Sequence, residues 1–188
     1  MKRRTFLSLA SLSALPLQLL AATRKPTPTD QEGPFYPTKP IPLRDNLILS
    51  EKIPAGETMQ LSGRVLNQQG QPLSSIKVEI WQCDGAGIYD HPLQNNTETF
   101  DRNFGGYGAQ VTNEQGYYQF TTLYPVPYTG RPPHIHVKLW HEGTELLTTQ
   151  LYLEGNTGSS WFGSRDPLQI APKQKADGTF TGQYTFVV

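Results

Sequence analysis

The sequence predicts an all-β protein, an antiparallel two-sheet β-sandwich with long loops. Seventeen glycines and sixteen prolines punctuate its 188 residues. No stretch beyond the first segment keeps helical periodicity over about three turns. Short runs such as Ile76–Gln82 instead alternate along the two-residue period of a strand that buries one face.

The chain opens with a basic head (Lys2, Arg3, Arg4), an apolar run from Phe6 to Leu20 and the small residues Ala21 and Ala22. Residues 1–22 therefore read as a signal peptide, cut after Ala22, and not as a spanning helix. Arg3 and Arg4 followed by Thr5, Phe6 and Leu7 resemble a twin-arginine export signal, with an ordinary secretion signal as the alternative. Either way the expectation is an exported, periplasmic protein. The formal net charge is zero, and losing the three basic residues leaves a slight acidic excess. That balance argues against nucleic acid and, after export, against an anionic membrane as partner; a small molecule is expected. Cys83 is the one cysteine, so no internal disulfide forms, and stability must come from the core, a metal or a homo-oligomer. Cys83 itself reads as buried and structural.

Residues 23–45 are proline-rich and extended, an arm predicted to wrap the domain formed by 46–188. The apolar EGPFYP within the arm is unlike a free linker. Met59–Leu66 reads as the first strand, closed by the turn NQQGQP at 67–72, and Ile76–Gln82 as the second. The glycine-bearing segment 83–108, with DGAGIYDH and DRNFGGYG, is the kind of long loop that carries function. Ala109–Thr112 and Tyr117–Thr122 are expected to form a hairpin across residues 113–116. His134–His141, Thr148–Leu153 and Tyr184–Val188 complete the antiparallel set, and 155–175 is mostly loop with one short helical turn.

The stretch Tyr124–Trp140, YPVPYTGRPPHIHVKLW, holds the densest chemistry. In a strand, His134 and His136 face one way while Ile135 and Val137 face the other layer, so two imidazoles share a face. On that spacing alone, two solvated histidines on a polar face are the preferred account. Pro125 and Pro127 cannot join a central ladder, and they set Tyr128 on a stiff loop beside the imidazoles.

Taken in order, EGPFYP, VEIWQCDGAGIYDH, DRNFGGYG, TNEQGYYQFTTLYPVPY, RPPHIH and TQLYLEG resemble the intradiol ring-cleavage dioxygenases over residues 32–155. The resemblance implies a β-sandwich holding one non-haem Fe(III) per chain through Tyr89, Tyr128, His134 and His136. It implies that a catechol-type aromatic diol reacts with O2 and opens between its hydroxyl-bearing carbons to a cis,cis-muconate type diacid. Tyr128, released when the diol binds, would accept a proton. Arg131 would stabilise negative charge developing on the ring, with Gln150 assisting.

Each residue has a plainer account. Tyr89 could pack on the sandwich edge, although Gly85 and Gly87 before it suggest a shaped backbone. Arg131 could pair with a surface carboxylate, and a strand glutamine such as Gln150 is ordinarily solvated. His91 and His141 read as surface residues, while Phe35, Tyr36 and Tyr107 suit either a pocket wall or packing. The chain lacks the long helical N-terminal region of catechol dioxygenases. It resembles a single protocatechuate-dioxygenase subunit or the small secreted members, with all four ligand types present. The alternative from another class is an exported, iron-free β-sandwich binding module. No GxSxG or HExxH occurs, which leaves a hydrolase unsupported.

Overall fold

In the computed structural model, which describes residues 23–50, 52, 54–94, 99–128, 130–155, 159–160 and 163–188, two sheets face each other across one core. The expected signal peptide, 1–22, lies outside the described residues. The strands are β1 (Thr58–Leu66), β2 (Lys77–Trp81), β3 (Tyr107–Val111), β4 (Tyr117–Leu123), β5 (His134–His141) and β6 (Thr144–Leu153). They continue with β7 (Ser159–Ser160), β8 (Gly163–Ser164), β9 (Gln169–Ile170), β10 (Lys173–Gln174) and β11 (Phe180–Val187). One sheet has the order β10-β11-β1-β4 and the other β3-β2-β5-β6-β9, while β7 and β8 pair only with each other. A 3₁₀ turn at Asp166–Leu168 is the short helical element expected in that segment.

The core forms where the two alternating patterns meet. Leu61 and Val65 of β1, Tyr118 and Phe120 of β4 and Phe186 of β11 face Val78 and Ile80 of β2, Ile135, Val137 and Leu139 of β5, and Leu151 of β6, all fully buried. Each such side chain contributes about 1.5–3 kcal/mol by leaving water.

Two expectations are corrected. The sheets are mixed and not purely antiparallel: β11 runs parallel to β1, from Met59 opposite Phe180 to Leu66 opposite Val187, and β9 runs parallel to β6. Alternation has no direction, and a strand reached by a long connection can add either way. The second correction concerns β3 and β4. Their turn exists, with the Gly116 amide donating to Asn113 O at 2.9 Å. However, β3 pairs with β2 and β4 with β1, so the turn is a corner between sheets.

The arm does wrap the domain, and its path positions the site. It pairs with the edge of β6, crosses the outer face of the larger sheet over β5 and β2, and pairs with the edge of β3. At β6, the Asp30 amide donates to Thr148 O at 3.0 Å and Thr149 Oγ1 donates to Pro28 O at 2.8 Å. At β5, Glu32 pairs with Lys138. At β2, the Tyr36 hydroxyl donates to Glu79 Oε2 at 2.9 Å. At β3, the Arg44 amide donates to Ala109 O at 2.8 Å. The sheet is thereby covered on both sides, and the first six residues of β5 are all buried.

Candidate metal centre

β5 supplies the foundation. His134 and His136 are its first and third residues, share the outer face, and are each 1% exposed. Register decides their neighbours. Trp81 and Gln150 flank His136 on β2 and β6, and Tyr152 stands beside His134. The Trp81 indole stacks on the His136 ring, 4.8 Å between centroids and 6° between planes. His134 Nδ1 lies 2.6 Å from Pro132 O. A carbonyl only accepts, so that nitrogen carries the proton and His134 Nε2 presents its lone pair. It faces His136 Nε2 at 3.1 Å.

Two loops bring the phenols. Asp84, at the foot of the first loop, accepts the Ala86 and Ile88 amides on Oδ1 (2.9 and 3.0 Å) and the Asp101 amide on Oδ2 (2.9 Å). This buried carboxylate holds the backbone turn that ends in Tyr89. On the second loop, the Arg131 amide donates to Tyr128 O at 2.8 Å, closing a tight turn that sets both side chains next to β5. The loops touch at Gly87, whose φ is +84° and where a Cβ would stand 3.2 Å from Tyr128 Cβ. Any larger residue would push the phenols apart. The arm makes a similar close pass at Gly33, φ +74°, where a Cβ would stand 3.2 Å from His136 Cε1.

All four residues expected around the metal thus come together. Tyr89 and Tyr128 meet edge to face at 5.4 Å, with Tyr128 5.5 Å from the His134 ring and Tyr89 6.1 Å from the His136 ring. Burial pushes both phenols' pKa up and both imidazoles' down; His134 falls to about 4, with Arg131 acting in the same direction. Two neutral imidazoles therefore offer lone pairs, and the phenols ionise only if a cation takes their oxygens. The Tyr89 hydroxyl is buried without a hydrogen bond of ordinary geometry. A 3.1 Å gap between the imidazole nitrogens suits two neighbouring ligands of one ion at bond lengths of about 2.0–2.1 Å. Among the described residues no group of three His, Cys, Asp or Glu side chains could hold a metal; the donor set here is two nitrogens and two phenol oxygens.

Arg131 and Gln150 also join the site. Arg131 Nη2 donates to Gln150 Oε1 at 2.6 Å, and Gln150 is fully buried, against the expectation for a strand glutamine. Phe35 stacks on Tyr89 at 4.5 Å, Tyr36 meets Trp81 edge-on, and Tyr107 packs against the same cluster. Cys83 is buried there too, its Sγ 3.8 Å from Val126 O. His141 is exposed, while His91 is half-buried with its ring 5.7 Å from Phe35. Sequence reasoning missed Trp81, Tyr152, Asp84 and Asp30. The first two were within reach, since Tyr152 is two residues from Gln150 on one strand face and Trp81 ends the strand before the Tyr89 loop.

A family profile described as dioxygenase matches residues 31–174. Catechol 1,2-dioxygenase of Candida albicans is 32% identical over 139 residues, 64% of this chain and 45% of that protein. The protocatechuate 3,4-dioxygenase beta chain of Burkholderia cepacia is 33% identical over 140 residues, 68% of this chain and 59% of the relative. The chain therefore spans about half the length of these curated relatives. Among solved structures, the dioxygenase domain of a dioxygenase carbohydrate-binding protein fusion from Streptomyces sp. SirexAA-E superposes with a TM-score of 0.70 at 29% identity, covering 87% of this chain and 98% of the other. With a profile match across most of its length and relatives that agree on the reaction class, the chain belongs to the intradiol ring-cleavage dioxygenase family.

Proposed function

We propose that this protein is a non-haem, Fe(III)-dependent intradiol dioxygenase that opens a catechol-type ring between its two hydroxyl-bearing carbons. Both atoms of O2 enter the product, a cis,cis-muconate type diacid. The observation that carries the reading is the pair of imidazole nitrogens 3.1 Å apart beneath two buried phenols. Tyr89, Tyr128, His134 and His136 would hold the iron; two phenolate oxygens favour the ferric over the ferrous state. Bound Fe(III) would supply a hard Lewis acid that takes the deprotonated diol and makes its ring carbon reactive toward O2.

The chain's own residues do the rest. Tyr128 is half-buried on a loop, whereas Tyr89 is buried within the loop that Asp84 braces. Tyr128 is thus the phenol free to leave. Displaced by an incoming diol, its phenolate would regain a high proton affinity, raised by burial, and would accept a proton at its oxygen. Arg131 keeps a buried Nε–H that has no partner in the protein. That donor is available to negative charge developing on the ring and on the oxygens joined to it. Phe35 and Trp81 wall the centre with apolar surface and exclude water.

The test is the iron content and visible spectrum of the purified protein, before and after a diol is added without oxygen. About one iron per chain and a phenolate-to-iron absorption band that shifts with catechol or protocatechuate support the reading. A protein that stays colourless after ferric and ferrous loading would instead support the iron-free binding module. We further propose export through the twin-arginine-like segment, which fractionation of cells expressing the full chain would test.

A further inference from the structure

Asp30 lies on the arm, outside every strand, yet the residue is only 5% exposed. Oδ1 accepts the Gln31 amide at 2.7 Å, and Oδ2 accepts the Tyr152 hydroxyl at 2.8 Å. Tyr152 has one proton, and an ionised carboxylate is its strongest available acceptor. Committing that proton to Asp30 leaves the Tyr152 oxygen with lone pairs only. It lies 3.5 Å from Arg131 Nη2 and 2.9 Å from Gln150 Oε1. Arg131 Nη2 can then direct one N–H to Gln150 Oε1, at 2.6 Å, and the other toward Tyr152. The arm also fixes the opposite end of the glutamine, whose Nε2 donates to Gln31 O at 2.6 Å. A second guanidinium, Arg165, covers the Tyr152 ring at 4.9 Å. Hydrogen bonds connect Asp30 to this cationic cluster.

We propose that Asp30 is a positioning residue: through Tyr152 and Gln150 it aims Arg131 at the reacting ring, making the N-terminal arm part of the active site as well as its cover. The inference rests on the dioxygenase reading above. Without the carboxylate, the Tyr152 proton turns to Gln150 Oε1 and competes with Arg131 for the same oxygen. The loss falls on the step in which charge develops, and leaves iron retention and diol binding alone.

The test is Asp30→Asn in the full, iron-loaded chain. Expected are wild-type iron content, a wild-type visible band and a diol-induced shift at the same concentration, with KM within about twofold. Against these, kcat falls by about 10–100-fold, below the effect of removing a direct donor. Tyr152→Phe, which takes away the competing proton together with the acceptor oxygen, should lower kcat but no further than Asp30→Asn, and the double variant should match Tyr152→Phe, as members of one chain of contacts do. In the iron-free protein, nitrogen NMR should show the Arg131 Nε–H exchanging at least about tenfold faster in Asp30→Asn, with backbone protection unchanged. Should Asp30→Asn fail to fold, Tyr152→Phe, which removes one hydroxyl, carries the test by itself. An unchanged kcat in a folded variant overturns the inference and leaves the dioxygenase intact, as does a loss that appears only as lost iron or raised KM. A wild-type chain that neither holds iron nor opens a diol overturns both.

Discussion

The two sheets of this sandwich are built from similar strands and used differently. In the four-stranded sheet, β4 alternates buried and exposed residues toward solvent and β11 keeps exposed positions on its outer side, so each strand has one working face. In the five-stranded sheet, β5 is buried on both sides for six residues and β2 for four. Its inner face is apolar core, whereas its outer face holds two histidines, a lysine and a glutamate, sealed by the arm. Polar groups survive such burial only when each finds a partner. Here Lys138 finds Glu32 and Glu145, and Glu79 finds Lys77, Tyr36 and Trp140. Among the described side chains left without ordinary partners are Trp81, Tyr89, Arg131 and His136, all at the candidate centre. The covered outer face is where this fold keeps donors in reserve for a ligand.

That contrast can be broken by substitution. The largest effect is expected from His136→Ala, which should lower iron affinity by more than the about 10–100-fold typical of losing an outer-shell partner. The far-ultraviolet circular dichroism should stay that of the wild type; a variant that still holds one iron per chain refutes the site. Tyr128→Phe should keep iron, alter its absorption band and reduce kcat by about 10²–10⁴, the usual range for a lost acid–base group; undiminished turnover would remove Tyr128 from proton transfer. Ile135→Ala, one residue from either histidine but on the opposite face, should cost about 2–5 kcal/mol in urea unfolding and leave iron per folded molecule unchanged. Iron lost in step with stability would mean that the two faces of β5 are not independent.

Smaller effects follow on each side. Burial, with Asp84 adding to it, pushes the Cys83 thiol from 9 up to about 12. The unfolded thiol therefore ionises while the folded one does not, so its contribution to stability is complete below about pH 9 and is lost as pH rises toward 12. The urea midpoint should fall over that window, and the native thiol should resist disulfide reagents at pH 8 until the chain unfolds. Least of all, Gln183→Ala, exposed on β11, should change stability by no more than about 0.5 kcal/mol and leave iron binding alone.

Much of the larger sheet could be read before the structure, because periodicity and chemistry coincide in HIHVKLW: the odd positions face the site and the even ones the core. The loops of Tyr89 and Tyr128 were legible through their glycines and prolines. Pairing partners were not. Nothing local in residues 107–123 tells a hairpin from a corner, since partners lie on β2 and β1, distant in sequence. Gln150 looked like a solvated strand residue because its cover, Gln31, comes from an arm more than a hundred residues earlier. Asp30 stayed hidden for the same reason. A buried carboxylate announces itself only through its contacts, and the one that ties Asp30 to the site, Tyr152, lies more than a hundred residues away.

The stitching of β11 to β1 and to the arm has a further meaning for the newly made chain. Thr27 and Val187 exchange two hydrogen bonds, Thr27 amide to Val187 O and Val187 amide to Thr27 Oγ1, both 2.9 Å, and Val188 donates to Leu66 O. Contacts between such distant residues form late, since a long loop must close before they repay its entropy. While residues 180–188 are still inside the ribosome, β1 lacks its parallel neighbour and the arm lacks its tie at Thr27. The strand that bears the histidines is by then already synthesised. The strand that completes the smaller sheet is made after every residue of the centre, although none of the centre's side chains comes from it.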